Sequence, residues 1–209
     1  MIKMDWTSIY LKTSSLNVFI LGTGEVATRR AKRFLDHGAC VKLAGNSISK
    51  DLTDKGASLY SIDDIDKLVE WADLVVVASG DKKLSQYVAD ISKDKLINRA
   101  DLPQHGNVIV PTSFTIGDVE ISIFTNGKSP LMARQLRKKI QSVISDEDIL
   151  EIEIQDYARQ KLKKYIDNQK LRRKYLYEIL DDEVIDDFIK NHEVDRAKEY
   201  IDNWIRGLI

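Results

Sequence analysis

Cysteine and histidine are scarce in this chain of 209 residues. Cys40 is the single cysteine, so the chain can form neither an internal disulfide nor a cysteine-based zinc site. The three histidines, His37, His105 and His192, form no pair with metal-ligand spacing. We therefore expect no resident metal ion. Cys40 falls in a run that predicts a buried strand, where a small inert thiol is a better interpretation than a nucleophile.

Long apolar runs and an excess of charge of one sign are also missing. No apolar run approaches the roughly 20 residues that cross a bilayer, and the first residues lack the apolar stretch of a secretory signal. The 32 basic and 33 acidic residues give a net charge of −1, which removes the electrostatic case for nucleic-acid binding. With 43% hydrophobic residues, the composition indicates a soluble globular protein, and we expect it in the cytoplasm.

The first half of the sequence alternates between short apolar runs and amphipathic stretches. The apolar runs predict strands at residues 16–21, 40–44, 57–62, 73–79 and 95–100. The intervening stretches predict helices, and the strands are apolar throughout, which is typical of a parallel sheet covered on both faces. We therefore predict an α/β fold with a Rossmann-type, doubly wound parallel sheet.

A different pattern follows Pro103. Two β-rich runs meet near Gly117, which predicts a hairpin. Ser129 and Pro130 then provide an N-cap and a first helical residue, and the chain from Ser145 onward is charged and helical. We predict an NAD-binding domain, a β-hairpin segment for dimerisation and substrate binding, and a C-terminal helical domain, at residues 1–112, 113–145 and 146–209.

A glycine-rich turn separates the first predicted strand from the first predicted helix. Gly22, Gly24 and Ala27 form the GxGxxA variant of the dinucleotide-binding pattern. The first glycine permits a tight turn, the second lets the backbone approach a pyrophosphate, and the alanine keeps the helix close to the sheet. The free N–H groups of the helix N-terminus would then bind the phosphates. The alternative is a turn with no ligand, but the strand–turn–helix context favours a cofactor site.

One part of the dinucleotide pattern is missing. A carboxylate about 20 residues further on normally binds the ribose hydroxyls, but Asn46 and Ser47 occupy that region. No arginine lies there to bind a 2′-phosphate, so NAD is mildly favoured over NADP. Asn46 could equally be an ordinary loop residue. The predicted cofactor-binding residues are Gly22, Thr23, Gly24, Glu25, Val26, Asn46, Ser47, Ser79 and Gly80.

Four blocks of the sequence resemble the precorrin-2 dehydrogenases, also called the siroheme synthase N-terminal family. The first is GTGEVATRRAKRFLDHGACVKLA and the second is DLVVVASGDKKLSQYV. The third is INRADLPQHGNVIVPTSF, with its asparagine, aspartate and proline, and the fourth is IFTNGKSPLMARQLRKKI, with its serine-proline helix start. The blocks occur in the family's order and cover about residues 6–145, whereas the C-terminal helices match only in type.

The resemblance implies an enzyme that oxidises precorrin-2 to sirohydrochlorin with NAD. Some members of that family also insert ferrous iron to give siroheme, which is a ferrochelatase (lyase) activity. The family's homodimers are built from the hairpin segment and the helical tail. Asp101 matches the family's catalytic aspartate, Asn98 matches the asparagine before it, and Ser129 matches the serine of the serine-proline block.

The residues themselves also support a catalytic role for Asp101. Dehydrogenation removes a hydride and a proton, and a carboxylate after a parallel strand faces the ligand crevice. The alternative is a turn-capping role before Pro103. Precorrin-2 carries eight carboxylates, so cations near Asp101 and Ser129 are candidate partners, although each is also consistent with a solvated surface charge. The predicted substrate-binding residues are Asn98, Arg99, Lys128, Ser129 and Arg134.

Arg99 and His105 flank the catalytic candidate. Arg99 and Ala100 stand where the resembled family has two apolar residues, which leaves the chelatase activity open. If Arg99 paired with Asp101, it would weaken the carboxylate as a base, so we expect Arg99 to point away and to hold a substrate carboxylate. His105 is a further candidate for metal or proton handling, but a solvated loop histidine is the favoured interpretation.

Two other functions are consistent with the glycine turn. One is a non-catalytic NAD-sensing regulatory module, which would explain neither the aspartate block nor the serine-proline block. The other is a dehydrogenase with a different small substrate, for which the helical tail offers no evident active-site set.

Overall fold

Five parallel strands form the sheet of the first part of the chain, in the order β3-β2-β1-β4-β5. The computed structural model describes residues 6–208. The strands are β1 Asn17–Leu21, β2 Cys40–Ala44, β3 Ser58–Tyr60, β4 Leu74–Val77 and β5 Leu96–Arg99. This topology confirms the predicted Rossmann-type fold class.

Helices cover both faces of this sheet. They are α1 Glu25–Asp36, α2 Lys50–Asp54, α3 Ile65–Trp71 and α4 Lys82–Ile91. Alternate residues of β1 enter opposite cores: Ile20 packs in the cluster that holds α1, and Phe19 packs in the cluster that holds α3 and α4. Because β1 is buried on both faces, its sequence is apolar at every position from Val18 to Leu21.

The strand order reverses at β1, which pairs with β2 on one side and with β4 on the other. Leu21, the last residue of β1, lies in register with Ala44 of β2 and with Val77 of β4. The loops that follow these three strands therefore begin at one level of the sheet. In open α/β sheets, such a reversal creates a ligand crevice beyond the carboxyl ends of the strands.

The chain after β5 turns back along the open edge of that strand. Ile97 donates its backbone N–H to Asn107 Oδ1 at 2.7 Å, and its carbonyl accepts from the N–H groups of Asn107 and Val108 at 3.0 Å each. Asn107 Nδ2 also donates to the Lys95 carbonyl at 2.9 Å. The outward N–H and C=O groups of Ile97 and the carbonyl of Lys95 are thus occupied by the same chain.

One prediction for the sheet is wrong. Cys40 lies in β2, as expected, but its side chain is exposed. Cys40 lies on the same face of β2 as Lys42, which is only half-buried, whereas Ala39, just before it, is buried in the core on the opposite face. Val41, the next residue, is fully buried.

The chain divides into two compact units between Val110 and Pro111. The second unit begins with an antiparallel hairpin of β6 Thr112–Ile116 and β7 Val119–Ile123. Five helices follow: α5 Pro130–Gln141, α6 Asp146–Tyr165, α7 Gln169–Leu180, α8 Glu183–Lys190 and α9 Val194–Arg206. The predicted hairpin and helical region are therefore confirmed, whereas the further division at residue 145 stays a prediction.

The first two of these helices, α5 and α6, each begin at a serine whose side chain caps the helix N-terminus. Ser129 accepts from the backbone N–H of Met132 at the start of α5, and Ser145 forms a reciprocal capping box with Asp148 at the start of α6. Ile154, Leu162 and Ile201 are among the buried residues that join α6 to α9 in one core. Within the region that the structure describes, no helix has both the length and the apolarity to cross a membrane.

Candidate active site

The glycine turn lies directly beyond β1, at the carboxyl edge of the sheet. Gly22 has φ +108°, and a Cβ at this position would lie 2.5 Å from the carbonyl oxygen of Ala78. Its N–H donates to the Ala44 carbonyl at 2.9 Å. Only glycine fits this conformation and this close approach to the loop after β4.

Gly24 has a different environment from Gly22. It is the N-cap of α1 with an ordinary φ of −75°, and it provides no side-chain cap. A Cβ placed here would meet no protein atom within 4 Å. The first helical hydrogen bond runs from Thr28 N–H to the Gly24 carbonyl at 2.9 Å, so the preceding N–H groups of α1 have no partner within the helix. Open space beside free N–H groups fits a pyrophosphate.

A cleft of about 250 Å³ lies at this edge of the sheet. Most of the predicted cofactor-binding residues line it, namely Gly22, Thr23, Gly24, Asn46, Ser79 and Gly80. Ser47 and the first two residues of α1, Glu25 and Val26, are exposed and are not among the lining residues. Gly45 and Ile62 also line the cleft, although the sequence analysis did not single them out.

Gly45 and Ile62 differ in the signal that they gave. Gly45 directly follows β2, and a glycine at the carboxyl end of a predicted strand could have been singled out. Ile62 begins the 3₁₀ turn after β3 and is 53% exposed. An isolated surface isoleucine is common in proteins, so the sequence alone gave no reason to place it beside a ligand.

The predicted catalytic aspartate forms an ion pair with its neighbour. Arg99, the last residue of β5, donates from Nε to Asp101 Oδ1 at 2.9 Å and from Nη2 to Asp101 Oδ2 at 2.7 Å. The Arg99 side chain is 2% exposed and that of Asp101 is 23% exposed. The expectation that Arg99 points away from Asp101 is therefore wrong. The strand ends at Arg99, so strict alternation of side chains no longer applies at Asp101.

The ion pair changes the acidity of both groups. Burial alone would raise the pKa of Asp101, but the hydrogen bonds and the charge of Arg99 outweigh it, and the backbone N–H groups of Asp101 and Leu102 add to the effect. The net result is a lowered pKa for Asp101. The hydrogen bond to Asp101 in turn raises the pKa of Arg99. Asp101 is therefore an anion throughout the neutral and mildly acidic range.

Asn98 lies on the opposite face of β5 from Arg99. Its Nδ2 donates to the Val108 carbonyl at 2.8 Å, and the residue is 2% exposed. Its Oδ1 is one of two buried side-chain polar atoms that lack a hydrogen-bond partner among residues 6–208. The Nδ2 group of Asn98 thus anchors the chain that returns along β5, and its Oδ1 remains available to accept a hydrogen bond.

The remaining predicted site residues are in the second unit. Ser129 Oγ accepts from Met132 N–H at 3.1 Å, and Ser129 N–H donates to Thr125 Oγ1 at 3.3 Å. Lys128 and Arg134 are exposed at the start of α5. The N-cap interpretation of Ser129 describes its local structure, and substrate contact by these three residues stays a prediction.

His105, the candidate for metal or proton handling, lies in the first unit. His105 is exposed in the 3₁₀ turn Pro103–His105 and lines a second cavity, of about 280 Å³, together with Arg99, Gln86 and Lys93. In the described part of the chain, no group of three or more histidine, cysteine, aspartate or glutamate residues could hold a metal ion.

The parallel sheet with its glycine turn and open helix N-terminus defines a Rossmann-type dinucleotide-binding protein. A family model for NAD(P)-binding proteins matches residues 9–112. Within this class, the chain belongs to the precorrin-2 dehydrogenase family. The identification rests on that match together with the similarity to precorrin-2 dehydrogenases of known sequence.

Two similar proteins are precorrin-2 dehydrogenases of comparable length. That of Priestia megaterium is 28% identical over 65% of this chain and 69% of its own length. That of Methanosarcina barkeri is 28% identical over 79% of each chain. A siroheme synthase of Methylococcus capsulatus is 31% identical over 68% of this chain, but the match spans only 31% of that longer protein.

A solved structure also shares the fold. The precorrin-2 dehydrogenase SirC superimposes with a TM-score of 0.76 at 23% identity, covering 93% of this chain and all of its own. Because the identity is low, this likeness supports the fold and its element order.

Proposed function

We propose that this protein oxidises precorrin-2 to sirohydrochlorin, with NAD⁺ as the hydride acceptor. One observation in the structure supports the proposal most directly: the glycine turn after β1 and the carboxylate of Asp101 after β5 lie at the same carboxyl edge of one parallel sheet. A cofactor bound at the reversal point would therefore face an anionic side chain. We propose precorrin-2 as the substrate because the similar proteins are named precorrin-2 dehydrogenases.

Different residues of the cleft would bind different parts of the cofactor. The N–H groups at the start of α1 would bind the pyrophosphate, and Gly22 would keep the turn close to the loop after β4. Asn46 would hydrogen-bond the ribose hydroxyls. When bound, NAD⁺ supplies a two-electron acceptor for hydride.

Asp101 would act on the substrate side of the cofactor. Loss of a hydride leaves positive charge on the tetrapyrrole, and a fixed carboxylate stabilises that charge. The product forms when a proton also leaves the tetrapyrrole, so the balance is one NADH and one proton for each precorrin-2 oxidised. Lys128 and Arg134, which are exposed, have the charge to bind acetate and propionate side chains, and Ser129 has a hydroxyl close by in sequence.

The decisive experiment is an anaerobic assay of the purified protein with precorrin-2 and NAD⁺. Formation of sirohydrochlorin together with NADH, followed by ultraviolet-visible spectra, would support the proposal. Binding of NAD⁺ without oxidation of precorrin-2 would instead favour the NAD-sensing module. A parallel reaction with ferrous iron measures the proposed second activity, in which iron is a substrate and siroheme is the product.

We expect NAD⁺ to bind more tightly than NADP⁺, by roughly tenfold. Among the described residues, those that line the cleft include no arginine or lysine, so a 2′-phosphate would lack a cationic partner there. Competitive titration of the protein with the two cofactors measures the preference. Tighter binding of NADP⁺ would contradict it, and loss of that binding in Lys50→Ala would then identify Lys50 as the cation.

We also propose a homodimer. Several large apolar side chains of the second unit are exposed, namely Phe124, Leu131, Met132, Leu136 and Val143. Burial of such a set against a second copy would remove this apolar surface from water. Light scattering should therefore give twice the chain mass of 23.9 kDa at micromolar concentration.

A pair of variants tests the surface used by the dimer. Met132→Glu with Leu136→Glu places two charges one turn apart on α5 and should give monomers. Val184→Glu, which changes an exposed apolar residue on α8, is the matched control and should stay dimeric. A monomeric wild-type protein would contradict the proposal.

A further inference from the structure

The Arg99 side chain is 2% exposed and borders the second cavity. Its guanidinium donates hydrogen bonds from Nε and Nη2 to Asp101, and Nη1 donates to Gln86 Oε1 at 3.4 Å. A buried guanidinium with these partners has little freedom to reach a substrate carboxylate. Burial of an unpaired charge costs several kcal/mol, so the fold tolerates Arg99 here only because Asp101 accompanies it.

The pairing also fixes Asp101. Two N–H···O bonds hold the carboxylate against the guanidinium, and each carboxylate oxygen accepts one of them. The carboxylate can therefore neither rotate freely nor move away from the end of β5. Its side chain is still 23% exposed, so one side stays accessible from the edge of the sheet.

We propose that Arg99 is a positioning residue that holds Asp101 as a fixed anion, so that Asp101 acts through its negative charge more than as a proton acceptor. This inference rests on the proposed oxidation of precorrin-2. It assigns Arg99 to the catalytic aspartate and not to the binding of a substrate carboxylate. The hydride still goes to NAD⁺, and the proton leaves to water.

Two physical arguments favour charge over proton transfer. A base whose pKa lies far below the working pH accepts a proton poorly, and Arg99 lowers the pKa of Asp101. A preorganised anion, by contrast, stabilises developing positive charge without rearrangement during the reaction. The same geometry that weakens Asp101 as a base thus improves it as a fixed charge.

Three variants of the 209-residue chain test the inference. Arg99→Met keeps an unbranched side chain without charge, and Arg99→Lys restores the charge with a single point of contact. Lys93→Met is the matched control, because it removes a cation from the same cavity without touching the contacts of Asp101. For each variant, kcat, KM and their pH profiles are measured with precorrin-2, and the Asp101 carboxyl is titrated by carbon-13 NMR.

Arg99→Met should lower kcat by about 10- to 100-fold with little change in KM for the tetrapyrrole, because the carboxylate is no longer held in place. Without Arg99, burial still favours the neutral carboxyl, so the pKa of Asp101 rises and the acid limb of the rate profile moves to higher pH. Arg99→Lys should recover part of both effects. Lys93→Met should match the wild-type protein.

Three results would overturn the inference. One is an unshifted Asp101 titration in Arg99→Met. Another is an increase in KM with kcat unchanged, which would make Arg99 a substrate-binding residue. The third is an acid limb that does not move when kcat falls, which would indicate a purely structural role. The NMR titration needs no turnover, so a wild-type protein that fails to oxidise precorrin-2 would refute the proposed function separately from the Arg99–Asp101 linkage.

Discussion

Asp101→Ala is expected to lower kcat for precorrin-2 oxidation by about 10² to 10⁴, which corresponds to roughly 3–5 kcal/mol of transition-state stabilisation. The substitution removes the anion that follows β5, whether it acts by charge or by proton transfer. NAD⁺ affinity should stay within about twofold of the wild-type value, since the glycine turn follows a different strand. Steady-state kinetics under anaerobic conditions and calorimetric titration with NAD⁺ measure the two quantities.

The loss of activity must be separated from a loss of stability. Asp101→Ala leaves the buried Arg99 without its main partner, and we expect the free energy of unfolding to fall by about 3–5 kcal/mol. Arg99→Met combined with Asp101→Ala removes both charges and should recover stability without recovering turnover. Asp94→Ala, at an exposed aspartate just before β5, serves as the charge control and should retain full turnover. Near-normal oxidation by Asp101→Ala would show that the carboxylate is not needed.

Gly24→Val is expected to weaken NAD⁺ binding at least about 100-fold, or roughly 2.7 kcal/mol, with little effect on folding. The φ of Gly24 is ordinary and no protein atom lies within 4 Å of an added Cβ, so the free protein accommodates the side chain. The space that valine would occupy lies beside the free N–H groups of α1, where a pyrophosphate would bind. Calorimetric titration gives the affinity, and thermal unfolding gives the stability.

Two other glycines make this test specific. Gly207→Val adds the same side chain at a position after α9 where its Cβ meets only ordinary contacts, and it should bind NAD⁺ normally. Gly22→Ala should lose stability as well as binding, because its Cβ would meet the Ala78 carbonyl at 2.5 Å. Unchanged NAD⁺ affinity in Gly24→Val would reject the glycine turn as the cofactor site.

The repeating parts of the fold could be predicted from the sequence, because they follow local rules. Buried parallel strands are apolar at consecutive positions, so the run that ends at Leu21 and the run that ends at Val77 both predicted strands. Ser129 and Ser145 marked helix starts because their hydroxyl groups satisfy the first free N–H groups.

The parts that escaped prediction depend on where strands end and on contacts between distant segments. Cys40 is exposed because it lies at the start of β2 on the face that it shares with the half-buried Lys42, and an apolar run does not show which face is covered. The direction of Arg99 follows from the end of β5, after which the chain no longer alternates. Ile62 reaches the cleft only because β3 pairs with β2, and its own neighbours in sequence do not reveal that pairing.

The return of the chain along β5 has a consequence for how copies of the protein can meet. A bare edge strand exposes a row of N–H and C=O groups that can recruit a strand from another molecule and start a fibril. Here Asn107 and Val108 occupy the outer groups of Ile97, and the opposite edge strand, β3, is only three residues long. Both edges of the parallel sheet therefore hinder pairing with a strand from another molecule. Copies that meet at this parallel sheet would thus contact each other through side chains and not through strand pairing.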